Sequence, residues 1–250
     1  MGALMPVRAR VALVTGGSRG LGAVVARRLA EDGFAVAVNS RQSAEDVVTE
    51  IRQAGGIAEA FPADVTDEAQ VDALVAEVRR RLGPVEVLVC NATGPQPEGL
   101  LAEVGWADHL AQLDFFVKSP VLLLRAVLAD MRAGGFGRIV QIDSEVAHRP
   151  PPGRSAYATA KNAQIGLMVS WARELAPDGI TVNAVAPGFI PVERHADETP
   201  ESIAAYLATV PAGRIGVPAD IAHAVSFFAS EGAGFVTGAR LVVDGGRHLG

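Results

Sequence analysis

Val11-Ala12-Leu13-Val14-Thr15-Gly16-Gly17-Ser18-Arg19-Gly20-Leu21-Gly22-Ala23-Val24-Val25-Ala26-Arg27-Arg28-Leu29-Ala30 runs from an apolar stretch through four glycines into a helix-like stretch. The run 11–14 has the length and branching of a strand buried on both faces. The run 23–30 carries helix formers with apolar positions at i, i+3 and i+4. Glycines between a strand and a helix permit a tight turn and close approach of the backbone to an anion, and the N–H groups at the helix start attract phosphate. A single junction of this kind is also compatible with a plain tight turn, so its meaning depends on the rest of the chain. Its spacing, Gly16-x-x-x-Gly20-x-Gly22, is one residue longer in the first gap than the usual dinucleotide fingerprint.

Outward from that stretch, strand-like runs recur at 35–38, 57–61, 85–89, 138–142, 181–185 and 241–243, with helix-length amphipathic segments between them. The βα alternation predicts an α/β fold: one doubly wound domain with a seven-stranded parallel sheet, helices on both faces and right-handed crossovers. A chain of 250 residues needs no second domain to bury a sizeable core. Ligands of such sheets bind beyond the carboxyl ends of the strands. That rule gathers the glycine turn, Asn39, Ser40, Arg41, Asp64, Val65, Asn91, Ala92, Ser144, Pro187 and Gly188 at one edge. Pro120 interrupts the helical pattern over 104–131 and is expected to kink it, because proline lacks an N–H and crowds the preceding turn.

Composition narrows the function classes. With 49% hydrophobic and 20% charged residues the chain reads as globular. A formal net charge of -6 argues against nucleic-acid partners, since phosphate neutralisation needs clustered Lys and Arg. No run approaches the ~20 apolar residues of a membrane span, and residues 1–10 lack a signal-like apolar stretch, so the expectation is a cytoplasmic protein without a membrane partner. Cys90 is the only cysteine, which rules out an internal disulfide. The five histidines show no ligand spacing and no metal is expected.

Ser155-Ala156-Tyr157-Ala158-Thr159-Ala160-Lys161 opens a helical segment, and the four-residue step puts Tyr157 and Lys161 on one face. A free tyrosine titrates near ~10, too high for easy proton shuttling at neutrality. A neighbouring ammonium favours the phenolate and brings the hydroxyl into range for general acid–base work. Ser144 lies thirteen residues earlier, at the end of a strand-like run, where its hydroxyl can support an oxygen as charge develops.

Together with the turn at 15–22, this set resembles the short-chain dehydrogenase/reductase family, and most of all its β-ketoacyl-acyl-carrier-protein reductases. The resemblance covers nearly the whole chain. It implies a Rossmann-type fold and Ser144, Tyr157 and Lys161 as catalytic residues. The cofactor would be held by Gly16, Ser18, Arg19, Gly20, Leu21, Gly22, Asn39, Ser40, Arg41, Asp64, Val65, Asn91, Ala92, Tyr157, Lys161, Pro187, Gly188 and Ile190. Asp64 and Val65 look like the adenine contact, Asn91-Ala92 like the core of the Asn-Asn-Ala-Gly motif, and 241–246 like the carboxyl-terminal strand and turn. A mobile lid over 191–211 and a homotetramer packed through the helices at 110–131 and 157–175 are also implied.

The chain departs from the family pattern in three respects. Aligning Lys118-Ser119-Pro120 and Arg125-Ala126 puts Phe116 where an asparagine normally organises a proton-relay water; Asp114 is the nearest substitute. Cys90 and Thr93 replace the outer residues of Asn-Asn-Ala-Gly, and Val192-Glu193 stands where a threonine often binds the carboxamide. After the second strand no carboxylate is present to take the ribose hydroxyls of NAD, whereas Arg19 and Arg41 suit a 2′-phosphate, so NADP(H) is expected. The expected activity is NADPH-dependent reduction of a 3-oxoacyl thioester or similar ketone. A polyol or sugar dehydrogenase and a noncatalytic dinucleotide-binding sensor or assembly protein stay open. Substrate contacts are assigned to 96–101, 145–154 and the lid, with Arg149, Arg154, Arg194 and His195 either meeting an anionic substrate or facing solvent.

Overall fold

A computed structural model describes residues 8–250, Arg194 by its backbone only. The elements follow in the order β1 (Val11–Thr15), α1 (Gly20–Glu31), β2 (Ala35–Ser40), α2 (Glu45–Gln53), β3 (Ile57–Pro62), α3 (Glu68–Arg81), β4 (Val85–Cys90), α4 (Trp106–Leu113), α5 (Ser119–Gly134), β5 (Gly137–Ile142), α6 (Ser155–Leu175), β6 (Ile180–Pro187), α7 (Pro200–Leu207), α8 (Pro218–Ala229) and β7 (Arg240–Val243). All seven strands expected from the sequence form, several of them reaching one or two residues further. They make one sheet in the order β3-β2-β1-β4-β5-β6-β7, and every neighbouring pair is parallel.

Every residue of β1, β2, β5 and β6 is buried, which is why these strands are mostly apolar instead of alternating, and the buried Asn39 and Asn183 they carry are hydrogen-bonded to main-chain carbonyls. Leu13, Val71, Leu74, Leu123, Met131 and Met168 build the core under α3, α5 and α6. Val14, Val25, Leu29, Val48, Val225 and Phe228 build the other, under α1, α2 and α8. Strand order reverses between β1 and β4, and the loops leaving the carboxyl ends of these strands open a crevice at that point.

The break in the long helical pattern lies upstream of Pro120. After α4 the chain winds as a π-helical segment, Asp114–Lys118, in which the Ser119 N–H bonds the Asp114 carbonyl. Pro120 then sits in the first turn of α5, where a missing N–H costs little. A wider turn before it relieves the clash of the ring with the preceding carbonyls. Leu122, Leu123 and Leu124, which follow Pro120, are buried within this chain's own core. No helix among the described residues is long and apolar enough to cross a membrane.

Candidate active site

A cleft of about 1010 Å³ runs along the carboxyl edge of the sheet, and each of the cofactor and catalytic candidates read from the sequence lines it. The glycine turn forms its floor. Gly16 has φ +66, a conformation L side chains rarely adopt. A Cβ on Gly22 would lie 2.3 Å from the Gly16 carbonyl oxygen and 2.5 Å from Asn91 Nδ2. Thr15 and Asn91 hold the turn against β4. Thr15 Oγ1 donates to the Val89 carbonyl at 3.1 Å and accepts from the N–H groups of Asn91 at 3.0 Å and Ala92 at 3.1 Å. Asn91 Nδ2 donates to the carbonyls of Thr15 at 2.9 Å and Gly16 at 3.2 Å. Helix α1 begins at Gly20 with neither a side-chain cap nor an acidic residue in its first turn, so its amino end suits an anion.

Near the end of β2 the buried Asn39 donates to the carbonyls of Phe61 at 3.0 Å and Ala63 at 3.2 Å, tying β2 to the end of β3. Its side chain therefore builds the floor of the pocket. Asp64 accepts from the hydroxyl of Thr66 at 2.7 Å and its N–H at 2.9 Å. The Thr66 hydroxyl, opposed by partial burial, holds the carboxyl below its usual range. Arg19 and Arg41 line the same end of the cleft and are exposed. Among the described residues neither enters an ion pair.

At the other end the loop after β5 carries Ser144, whose Oγ accepts from the Val146 N–H at 3.2 Å and caps a short 3-10 turn, Glu145–Ala147. The loop is fixed from β7: Arg240 pairs with the buried carboxylate of Asp143 at 2.5 Å and donates to the Ser144 carbonyl at 2.8 Å. Tyr157 and Lys161 stand in the first turns of α6, 8% and 2% exposed. Lys161 Nζ donates to the Ile142 carbonyl at 2.7 Å and to Gln164 Oε1 at 3.1 Å. The Phe116 ring lies 3.7 Å from Lys161 Nζ and meets the Tyr157 ring edge-on at 5.4 Å between centroids. Phe115 and Phe116 line the cleft while Asp114 does not, so the carboxylate offered as a substitute for asparagine is not in the site. Cys90 behind it is buried, and burial pushes its thiol up to about 12.

The segment after β6 closes the cleft. Gly188 N–H bonds the Val243 carbonyl at 3.0 Å, and a Cβ there would meet Tyr206 Oη at 2.5 Å. Tyr206, on α7, accepts from the Phe189 N–H at 2.7 Å and donates to Glu145 at 3.0 Å. Arg247 completes the knot with a 2.7 Å bond to the other Glu145 oxygen. Burial, reinforced by the Glu145 charge, lifts the Tyr206 hydroxyl to about 12.

The cations assigned to substrate are already engaged. Arg154 pairs with Glu98, Arg149 donates to the Arg247 carbonyl, and His195 Nδ1 accepts from the Val192 N–H at 3.3 Å. Arg194's side chain lies outside the described residues. Sequence reasoning missed the Asp143–Arg240 and Glu145–Tyr206–Arg247 links and Gln164. The first two join residues 61 to 102 positions apart and leave no local trace. Gln164 had one available signal: a polar residue three positions after Lys161 on the same helical face.

The family model described as enoyl-(acyl carrier protein) reductase matches residues 16–248. The chain is 36% identical over 245 residues to the 3-oxoacyl-[acyl-carrier-protein] reductase FabG of Haemophilus influenzae, covering 97% of this chain and 100% of that one. To the FabG of Staphylococcus aureus it is 39% identical over 244 residues, covering 95% and 98%. A solved gluconate 5-dehydrogenase from Burkholderia cenocepacia, in complex with NADP and tartrate, superposes with a TM-score of 0.91 at 32% identity over 98% of this chain and 97% of that one. A glycine turn against β4, a Tyr157–Lys161 pair on α6 and Ser144 after β5, matched over almost the full length by these relatives, make this chain a member of the short-chain dehydrogenase/reductase family.

Proposed function

We propose that the protein is an NADPH-dependent reductase that converts the ketone of a 3-oxoacyl thioester to the corresponding hydroxyl. The observation that carries the reading is one continuous cleft with the glycine turn and two exposed arginines at one end and Ser144, Tyr157 and Lys161 at the other. The residues fit the dinucleotide. The tight turn that Gly16 and Gly22 allow, packed against Asn91 and Ala92 where no Cβ fits, and the bare amino end of α1 suit its pyrophosphate. Arg19 and Arg41 suit a 2′-phosphate, and β2 ends in Asn39 and Ser40 without a carboxylate.

When bound, the reduced nicotinamide supplies a hydride for the carbonyl carbon. The Tyr157 hydroxyl gives its proton to the carbonyl oxygen as charge builds there. Ser144 has its oxygen held by the Val146 N–H, which leaves its one O–H to donate to the same oxygen. Lys161 stabilises the phenolate that Tyr157 becomes and binds the nicotinamide ribose. Pro187, Gly188 and Ile190 shape the nicotinamide end, and residues 191–211 cover the substrate. The name of the FabG relatives supports the thioester, and the NADP of the gluconate 5-dehydrogenase complex supports the cofactor.

The same reading makes the protein a cytoplasmic homotetramer, in keeping with its single buried free thiol and with the exposed Leu101, Trp106, Leu110 and Val169 on and beside α4 and α6. NADPH oxidation with acetoacetyl thioesters and ketones, run in parallel with NADP+ reduction by gluconate, tests it. The expected result is the highest kcat/KM on the thioester and a loss of about 1000-fold in Tyr157→Phe with NADPH binding intact. Higher efficiency on a sugar acid would favour the dehydrogenase reading, binding without turnover would favour a sensor, and retained turnover in Tyr157→Phe would overturn the mechanism.

A further inference from the structure

Lys161 is the most deeply buried cation of the cleft, 2% exposed, and an ammonium offers three donors and no acceptor. Placing it there is costly unless acceptors surround it. One is the main-chain carbonyl of Ile142 at 2.7 Å. The side towards the π-helical segment is taken by the face of Phe116 at 3.7 Å, which attracts a cation but accepts no directed hydrogen bond of ordinary strength. The side-chain acceptor is Gln164 Oε1 at 3.1 Å. Gln164 is itself 1% exposed and stands three residues along α6, on the face that carries Lys161. A buried glutamine among the apolar residues Ala160, Met168 and Ala172 of the same helix makes sense as a partner for that ammonium.

We propose that Gln164 is a positioning residue: its amide oxygen holds the Lys161 ammonium between Tyr157 and the cofactor end of the cleft, in a site where residue 116 supplies an aromatic face instead of a polar side chain. The chemistry explains why the residue is Gln and not Glu. A neutral acceptor fixes the ammonium without cancelling its field at Tyr157, whose ring centroid is 5.6 Å from Nζ. A carboxylate at that place would pair with the charge and remove its effect on the phenol. An apolar residue would remove this acceptor from the buried ammonium and let it shift within the site. Other ionisable groups on the surrounding elements are Cys90 on β4, Asp143 and Glu145 after β5, Asp108 and His109 on α4, and Asp114 and Lys118 in the π-helical segment. Asp143 and Glu145 are paired with Arg240 and Arg247.

The inference rests on the reductase reading for the role of Tyr157, but one test does not need turnover. The chain has two tyrosines, Tyr157 and Tyr206, so ultraviolet titration of tyrosinate in the Tyr206→Phe protein reports Tyr157 alone. Gln164→Met keeps the side-chain volume and removes the acceptor; Gln164→Glu keeps an oxygen and adds a charge. Each is expected to raise the Tyr157 midpoint by ~0.5 pH unit or more, with the Glu variant retaining the parent's thermal midpoint. If Gln164→Met does not fold, Gln164→Leu, which also removes the acceptor without adding charge, takes its place. In acetoacetyl-thioester reduction kcat of the Met variant falls about tenfold while KM for the ketone changes less than threefold. A glutamine that serves packing only would leave the tyrosine titration of the apolar variant at the parent's value, and that result overturns the proposal. A wild-type protein that reduces no ketone would instead sink the reductase reading and leave the titration to decide the role of Gln164.

Discussion

Gly22 is the residue on which the cofactor turn depends most directly, since its α-carbon faces the Gly16 carbonyl where no side chain fits. Gly22→Ala pushes that carbonyl away and is expected to cost about 1–3 kcal/mol of stability and more than tenfold in NADPH affinity, read by thermal melting and by fluorescence of bound NADPH. Arg41 acts without disturbing the fold, being exposed and outside any ion pair among the described residues. Arg41→Ala should lower the preference for NADPH over NADH by about tenfold, the worth of a charge-assisted bond to phosphate. Equal kcat/KM ratios in the variant and the parent would refute that role. Arg240 is the opposite case, with its partner Asp143 fully buried. Arg240→Met leaves an uncompensated carboxylate behind Ser144 and is expected to cost about 3–5 kcal/mol in denaturant unfolding. The glycine and arginine of the turn could be picked out in the sequence because their chemistry is local. Arg240 could not, because nothing near residue 240 announces a carboxylate 97 positions away.

Helix α8 shows how an element end is held and how it responds to pH. Asp220, in its first turn, accepts from the Val217 N–H at 2.8 Å and pairs with both ends of the Arg214 guanidinium at 2.7 and 2.8 Å. The bond to Arg214, opposed by slight burial, draws the Asp220 carboxyl down to about 2 from 3.8. Because the folded value lies below the unfolded one, the stabilisation is complete above pH ~4 and is lost as pH falls towards the folded value. Thermal midpoints measured from pH 5 downwards should therefore drop less steeply in Asp220→Asn than in the parent, and added salt should shrink the difference because Arg214 is exposed. The segment between α4 and α5 carries a different lesson. Proline chemistry foretold a break, but where the strain is absorbed depends on how the preceding turns pack, and they absorb it as a π turn that contains Phe116. The identity of residue 116 was evident in the sequence; its seat over Lys161 was not.

In the molecule as a whole, Leu101, Trp106, Leu110 and Val169 stay exposed on and beside α4 and α6, with Phe227, Phe235 and Leu249 exposed elsewhere. If the face beside α4 and α6 joins subunits in the proposed tetramer, the double substitution Trp106→Glu, Val169→Glu should give a smaller species than the parent in light scattering while leaving the chain folded by circular dichroism. An unchanged mass would remove the face from the interface. The sequence by itself determined the sheet, its parallel sense and the edge that carries the site. Fully buried strands are largely apolar, amphipathic helices repeat about every 3.6 residues, and a strand-to-helix turn that approaches an anion closely favours glycine. Only the tertiary structure decided how that edge is held together: Gln164 and Phe116 about Lys161, Arg240 behind Ser144, and Tyr206 and Arg247 across Glu145. Those partners meet because crossovers return distant segments to one edge, and a pairing made through space leaves no period or spacing along the chain from which to read it.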